Sequence, residues 1–170
     1  MDDVLNDTVQ ALQARFGARV QEFRDQVTVS IAPQRLVDAA RLLLEEFAFE
    51  MLVDVTAVDY WPQETPRFHT VYQFVSVSQN RHLQVRVPLN GNDPHVPSLE
   101  KVYPGVNWFE REIWDMFGIV FDGHSDMRRI LMPYDWQGHP LRKDYPVGYE
   151  EVQFSFNFKE INLRKPYAKE

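Results

Sequence analysis

Asp122, His124, Asp126 and His139 are residue types that ligate divalent metals or exchange protons. Two carboxylates beside two imidazoles would suit metal-assisted hydrolysis, with a carboxylate as acid or base. Their spacing weighs against it: the histidines stand ~15 residues apart, and no H-E-x-x-H helix links them. The plainer reading is that each loop histidine hydrogen-bonds a neighbour. Ser125 has no G-x-S-x-G turn around it, and no G-x-G-x-x-G occurs to cradle a dinucleotide. The chain has no cysteine, which excludes thiolate zinc sites, a cysteine nucleophile, disulfides and cysteine-ligated iron–sulfur clusters. A second grouping is ionic. Arg128, Arg129, Arg142 and Lys143 lie close to Asp126, Asp135 and Asp144, among glycines and prolines that forbid regular ladders. Such a loop needs its charges to find partners, and planar guanidinium forks hold carboxylates in fixed geometry.

The element preceding this loop is a helix. Asn107 and Glu110 are spaced as a capping box, and Gly118 suits the position just past a helix C-terminus. Phe109, Ile113, Met116 and Phe117 share one face. Trp108, Arg111, Glu112 and Asp115 share the other, where Arg111 and Asp115 are spaced to pair. That charged face is either solvated or, given the tryptophan among its charges, a protein interface.

Upstream, Val4, Leu5, Thr8, Val9, Leu12 and Phe16 recur at helical spacing, with Gly17 as the stop. Two strands are expected over residues 18–31, turning at Arg24-Asp25-Gln26. Pro33 opens a helix with Leu36, Val37, Ala40, Leu43, Leu44 and Phe47 as its buried stripe. Strands follow over Glu50–Tyr60, Phe68–Ser78 and His82–Leu89, the second burying Val71, Phe74, Val75 and Val77. Asn90–Pro97 is expected as loop. His69, His82 and His95 are assigned to packing, Asp54 and Asp59 to no chemistry, and Tyr60-Trp61 to an interface or its rim. The fold class is α+β: helices packed on a mixed, largely antiparallel sheet, followed by a long irregular C-terminal segment. A net charge of −7 argues against binding nucleic acid by bulk charge. No apolar run approaches the ~20 residues of a membrane span, and the acidic N-terminus is unlike a secretory signal. A soluble, cytosolic-type chain is expected, meeting a membrane only through partners.

The ordered set Glu110-Arg111-Glu112, two residues, Asp115-Met116-Phe117, six residues, His124, three residues, Arg128, one residue, Ile130-Leu131 resembles a known signature. It is that of the 30 kDa-type (C) subunit of the proton-pumping NADH:quinone oxidoreductase, respiratory complex I. The run Trp136-x-Gly138-His139-Pro140-Leu141-Arg142-Lys143-Asp144-Tyr145-Pro146 is similar to the family too. The resemblance is strong from Ser98 to Pro146 and weaker through the sheet. Ser125 and Tyr134 depart from it, standing where proline and an acidic residue are common. The resemblance implies a non-catalytic structural subunit of the peripheral arm, supporting the quinone-site module. It implies no cofactor in this chain, with FMN and iron–sulfur clusters in partner subunits. The expected partners are the quinone-site (D-type) subunit and the cluster-bearing (B-type and I-type) subunits. The expected location is peripheral, on the cytoplasmic side of the inner membrane, or the matrix or stromal side in an organelle. Related subunits of membrane-bound hydrogenases, F420H2 dehydrogenases and plastid-type NDH complexes are the alternative.

The resemblance makes Glu110, Arg111, Glu112, Asp115, His124, Asp126, Arg128, Arg129, Trp136, His139, Arg142, Lys143 and Asp144 the signature and interface residues. The expected organisation is one globular unit: a sheet domain over 1–103, the signature helix and loop over 104–148 packed on it, and an extended tail over 149–170. In that tail Phe154, Phe156 and Phe158 alternate, so on a strand their rings share a face. They either cap this domain's core or bind a partner, and the family's habit of wrapping its C-terminus over neighbours favours the partner.

Overall fold

The computed structural model describes residues 3–24, 26–63, 65–146 and 156–164. Helix α1 (Asp3–Phe16) ends at Gly17, whose φ of +65° carries the chain into the strand pair β1 (Arg19–Phe23) and β2 (Gln26–Ser30). A 3₁₀ turn at Pro33–Arg35 leads into α2 (Leu36–Glu45). Three nine-residue strands follow, β3 (Met51–Asp59), β4 (Phe68–Ser76) and β5 (Arg81–Leu89). They form a five-stranded sheet in the order β1-β2-β5-β4-β3, in which only β2 and β5 run parallel. The class is α+β, mixed and largely antiparallel, as the hydrophobic patterning predicts.

Alternation explains the central strands. Leu83, Val85, Val87 and Leu89 of β5 are buried while Gln84 and Arg86 are half-exposed. They join Val27, Val29, Tyr72 and Phe74, Leu36, Ala40 and Leu43 of α2, and Leu12 of α1 in one apolar core. Two details of the periodicity fail. Ala39 and Leu42 are buried in α2, whereas Val37 and Leu44 lie at the core's margin and Phe47 falls past the helix. Val77 is 62% exposed because β4 ends at Ser76 and the chain turns there.

The segment expected to be loop contains a strand. β6 (His95–Pro97) pairs in parallel with β7 (Val120–Asp122), burying Val96 against the core beside Phe121. Three residues are too few for alternation to declare itself, and the partner lies ~25 residues downstream. Between them a 3₁₀ turn at Pro104–Val106 starts α3 (Asn107–Phe117). The core extends into this region through Leu99, Val106, Ile113 and Ile119. The last described element, α4 (Phe158–Arg164), is helical, so Phe158 opens a helix and Phe156 sits in the turn before it. Those two rings do not alternate along a strand; Phe154 lies outside the described residues.

Candidate functional site

The polar residues after Pro104 are organised by two carboxylates that α3 carries inward. Glu110 and Asp115 are both fully buried, although a charged helix face is ordinarily solvated. The expected capping box does not form: Val106 is the N-cap and no side chain caps it. Glu110 instead turns toward the β6 side. Its Oε1 accepts the Leu99 N–H at 2.8 Å and its Oε2 accepts the Ser98 hydroxyl at 2.6 Å. Burial pushes its pKa up to about 7, against the lowering effect of these two donors. Asn107 is likewise diverted, its amide donating to Glu100 at 2.7 Å.

Asp115 organises the loop that follows. Its Oδ2 accepts three successive main-chain amides, Ile130 at 3.0 Å, Leu131 at 2.8 Å and Met132 at 2.9 Å. Its Oδ1 accepts Arg129 Nη1 at 2.5 Å. Burial alone would raise its pKa; the Met132 amide, the Arg129 guanidinium and the other two amides outweigh it and hold the carboxyl below its ordinary value. The i, i+4 partner predicted for Asp115 is therefore displaced. Arg111 turns away and donates to the carbonyls of Arg128 at 3.1 Å and Arg129 at 3.3 Å. Arg129 reaches on to the carbonyls of Trp136 at 2.7 Å and Gly138 at 3.1 Å, so one guanidinium ties α3 to both limbs of the loop.

The histidines are fastened in the same way. His124 accepts the Asp126 N–H at Nδ1 (3.0 Å), which leaves Nε2–H to donate to the Asn107 carbonyl (3.2 Å). His139 donates from Nδ1 to the Asp115 carbonyl at 3.0 Å. Its ring lies against Gly118, where an added Cβ would meet it at 2.6 Å. Asp126 pairs with Arg128 at 2.7 Å, and Asp122 bonds His95 at 2.9 Å. The side chains of the four residues whose types suggested a hydrolase are thus held by local bonds and do not converge on one point; within the four, His124 meets only the main chain of Asp126. Among the described residues no three His, Cys, Asp or Glu side chains stand together as a metal site.

A second brace joins the sheet to the end of the loop. Arg67, 4% exposed, grips Asp59 through Nε and Nη2 (2.9 and 2.8 Å) and Asp144 through Nη1 and Nη2 (3.0 and 2.7 Å). It lies over the rings of Trp61 and Phe68, at 4.7 and 4.8 Å from their centroids. Asp59 also accepts the main-chain amides of Trp61 and Lys143, each at 2.9 Å. Arg142 adds a bond to Asp144 at 3.2 Å. Bonds from Arg67 and Arg142 hold the Asp144 carboxyl well below the usual carboxylate range, against its partial burial. Sequence patterning assigns Asp59 no role and does not single out Arg67 or Glu100. The available signal is an Asp closing one strand and an Arg just before the next.

Arg111, Arg128, Arg129, Asp115, Asp126, Trp136 and His139 are brought together around the loop, and Arg142, Lys143 and Asp144 gather at the Asp59–Arg67 brace. Glu110 and His124 meet on the other side of α3, their polar atoms 3.9 Å apart. Glu112 is exposed on α3. The solvent side of this assembly mixes aromatic and apolar groups with an arginine: Trp108 is 61% exposed, Leu131 60%, Tyr134 88% and the Arg128 side chain 77%.

An α+β domain with a loop clamped by buried carboxylates and arginines defines a structural type that comparison places among respiratory-chain proteins. Residues 29–151 match the family model described as respiratory-chain NADH dehydrogenase, 30 Kd subunit. The chain is 48% identical over 151 residues, 88% of its length and 86% of the relative's, to the C subunit of the NADH-quinone oxidoreductase of Roseiflexus sp. (strain RS-1). It is 48% identical over 139 residues, 80% of this chain and 68% of the relative, to the corresponding subunit of Ruegeria pomeroyi. A trypsin-resistant fragment of Nqo5 superposes with a TM-score of 0.64 and 28% identity, over 72% of this chain and 98% of the fragment. A chain of an archaeal membrane-bound sulfane sulfur reductase shares the fold, with a TM-score of 0.73 and 22% identity over 99% of this chain and 97% of that one. This chain belongs to the 30 kDa subunit family of respiratory-chain NADH dehydrogenases.

Proposed function

We propose that the chain is a non-catalytic scaffold subunit of an NADH:quinone oxidoreductase, seated in the peripheral arm beside the subunits that carry FMN, iron–sulfur clusters and the quinone site. One observation carries this reading: Asp115 in the signature region and Asp59 in the sheet that braces it, both buried, are taken up by structural bonds. Asp115 accepts three amides and an arginine, and Asp59 two amides and an arginine. A carboxylate so occupied holds a loop in place; it has no lone pair left for substrate chemistry. What the region offers outward is an arginine- and aromatic-rich surface of the composition that anchors protein interfaces. The partners proposed for it are the quinone-site (D-type) subunit and the cluster-bearing (B-type and I-type) subunits. The chain then has no cofactor of its own, and the proposed attachment is peripheral, on the cytoplasmic side of the membrane. Among the described residues no helix is long and apolar enough to cross a membrane, so attachment through neighbours is consistent with the elements described.

The test is affinity purification of the tagged chain from detergent-solubilised membranes of a cell that makes the whole assembly. Flavin- and cluster-bearing subunits should co-purify, and deletion of the gene should leave the peripheral arm unassembled. Redox turnover by the isolated chain, or an intact arm without it, would refute the proposal. Recovery of hydrogenase subunits instead would assign the chain to that sister machine.

A further inference from the structure

We infer that the pocket between α3 and the loop over residues 127–134 receives an acidic segment of a neighbouring subunit: one carboxylate with an apolar residue beside it. The inference rests on the scaffold reading and adds the partner's chemistry to it. The pocket has a volume of about 500 Å³, enough for a few side chains and not for a folded element. Arg111, Arg128 and Arg129 line it, with Trp114, Met127 and Met132 between them and Tyr134 exposed beside them.

Among the described residues the charges at the pocket do not balance. Asp115 matches Arg129 at 2.5 Å and Asp126 matches Arg128 at 2.7 Å. Among the described residues Arg111 hydrogen-bonds only main-chain carbonyls, through Nε and Nη2, lies over the Trp108 ring at 5.1 Å, and shares with Arg128 the field at Asp126. The lining thus carries one positive charge in excess, on a chain whose net charge is −7. None of the bonds described uses Nη1 of Arg111 or of Arg128. A carboxylate entering here would meet guanidinium groups already fixed by other bonds, so little side-chain freedom is lost on binding. The methionines and Trp114 supply the adaptable apolar wall that a phosphate ion does not need and an aliphatic neighbour of the acid does.

The experiment uses the complete chain in its assembly. Tyr134 is replaced by the photo-crosslinking residue p-benzoylphenylalanine, the complex is purified through a tag on this chain and irradiated, and the attached peptide is sequenced by mass spectrometry. The expected product is a single segment of another subunit with an Asp or Glu next to the attachment point. Attachment only within this chain, to lipid, or to a segment without an acid would overturn the inference. Arg111→Glu should then lower the yield of that product by about tenfold or more. Because Arg111 also braces the loop, the decisive arm reverses the partner's acid to Lys in the same cells. Recovery of the cross-link supports charge recognition, since a folding defect in this chain would not be repaired from another, and no recovery counts against it. Failure to co-purify any respiratory subunit sinks the scaffold proposal. Co-purification without a pocket cross-link sinks this inference alone.

Discussion

A carboxylate's neighbours decide whether burial protonates it or keeps it charged, and α3 carries one of each kind five residues apart. Asp115 collects four donors and stays ionised. Glu110 has two, and burial prevails. With its pKa raised from 4.5 to about 7, Glu110 holds a proton in the folded chain that the unfolded chain releases. Its contribution to stability is therefore largest below pH 4.5 and falls as pH rises to about 7, by about 3 kcal/mol. Glu110→Gln keeps an acceptor for Leu99 and abolishes that slope. Urea unfolding should show the variant more stable than the parent at pH 8 and nearly equal at pH 4.5. Asp115, Asp59 and Asp144 act in the opposite sense: their carboxyls are depressed, so their stabilisation is present above about pH 4 and is lost on acidification below it. Arg129→Ala would strip the buried Asp115 of its cation. A loss of about 3–5 kcal/mol is expected in the same assay, with less of the subunit retained in membranes. Ser125 shows how a departure from the family pattern is absorbed. Its N–H and hydroxyl both bond Glu100, at 2.8 and 2.6 Å, and a proline there would supply neither donor.

At the scale of the element, α3 works because its end is sharply defined. Gly118 adopts φ +73°, its N–H closes on the Trp114 carbonyl at 2.9 Å, and its bare Cα admits the His139 ring. Gly118→Ala combines a strained left-handed backbone with a clash at 2.6 Å. A loss of about 2 kcal/mol or more is expected, measured as a lower thermal midpoint. The loop after the helix should lose protection as well, read by amide hydrogen exchange at Ile130–Met132, whose N–H groups bond Asp115. The helix itself is legible from sequence, because Ile113 and Met116 recur at its period and glycine stops it. Its charged face is not. Periodicity reports that a position is polar, whereas a buried acid and a solvated one look alike until the segment packed over them is known.

Across the whole molecule, one apolar core runs from Val9 to Phe121, with Met127 at its margin, and among the described residues none of its members lies beyond that point. The described residues beyond Pro146, 156–164, supply no member of this core, and a chain ending at Pro146 is expected to unfold within a few degrees of the complete one in a thermal melt. Its retention in the respiratory assembly should fall if the C-terminal segment binds a neighbour; unchanged assembly would discard that role. The Arg67 brace joins residues 77 positions apart, Arg67 and Asp144, and so couples the loop to the sheet it covers. Length, composition and alternation were enough to determine the class, the long strands and the order of the first three helices, because each rests on repeats within a few residues of chain; α4, in the tail expected to be extended, was not among them. The ordered polar signature was enough to point to the family. Only the tertiary structure decided that Asp59 belongs with Arg67 and Asp144, that Arg129 rather than Arg111 neutralises Asp115, and that β6 finds β7. Those pairings join side chains distant in sequence, and whether a charge is spent within the domain or left at its surface depends on which segments fold over it.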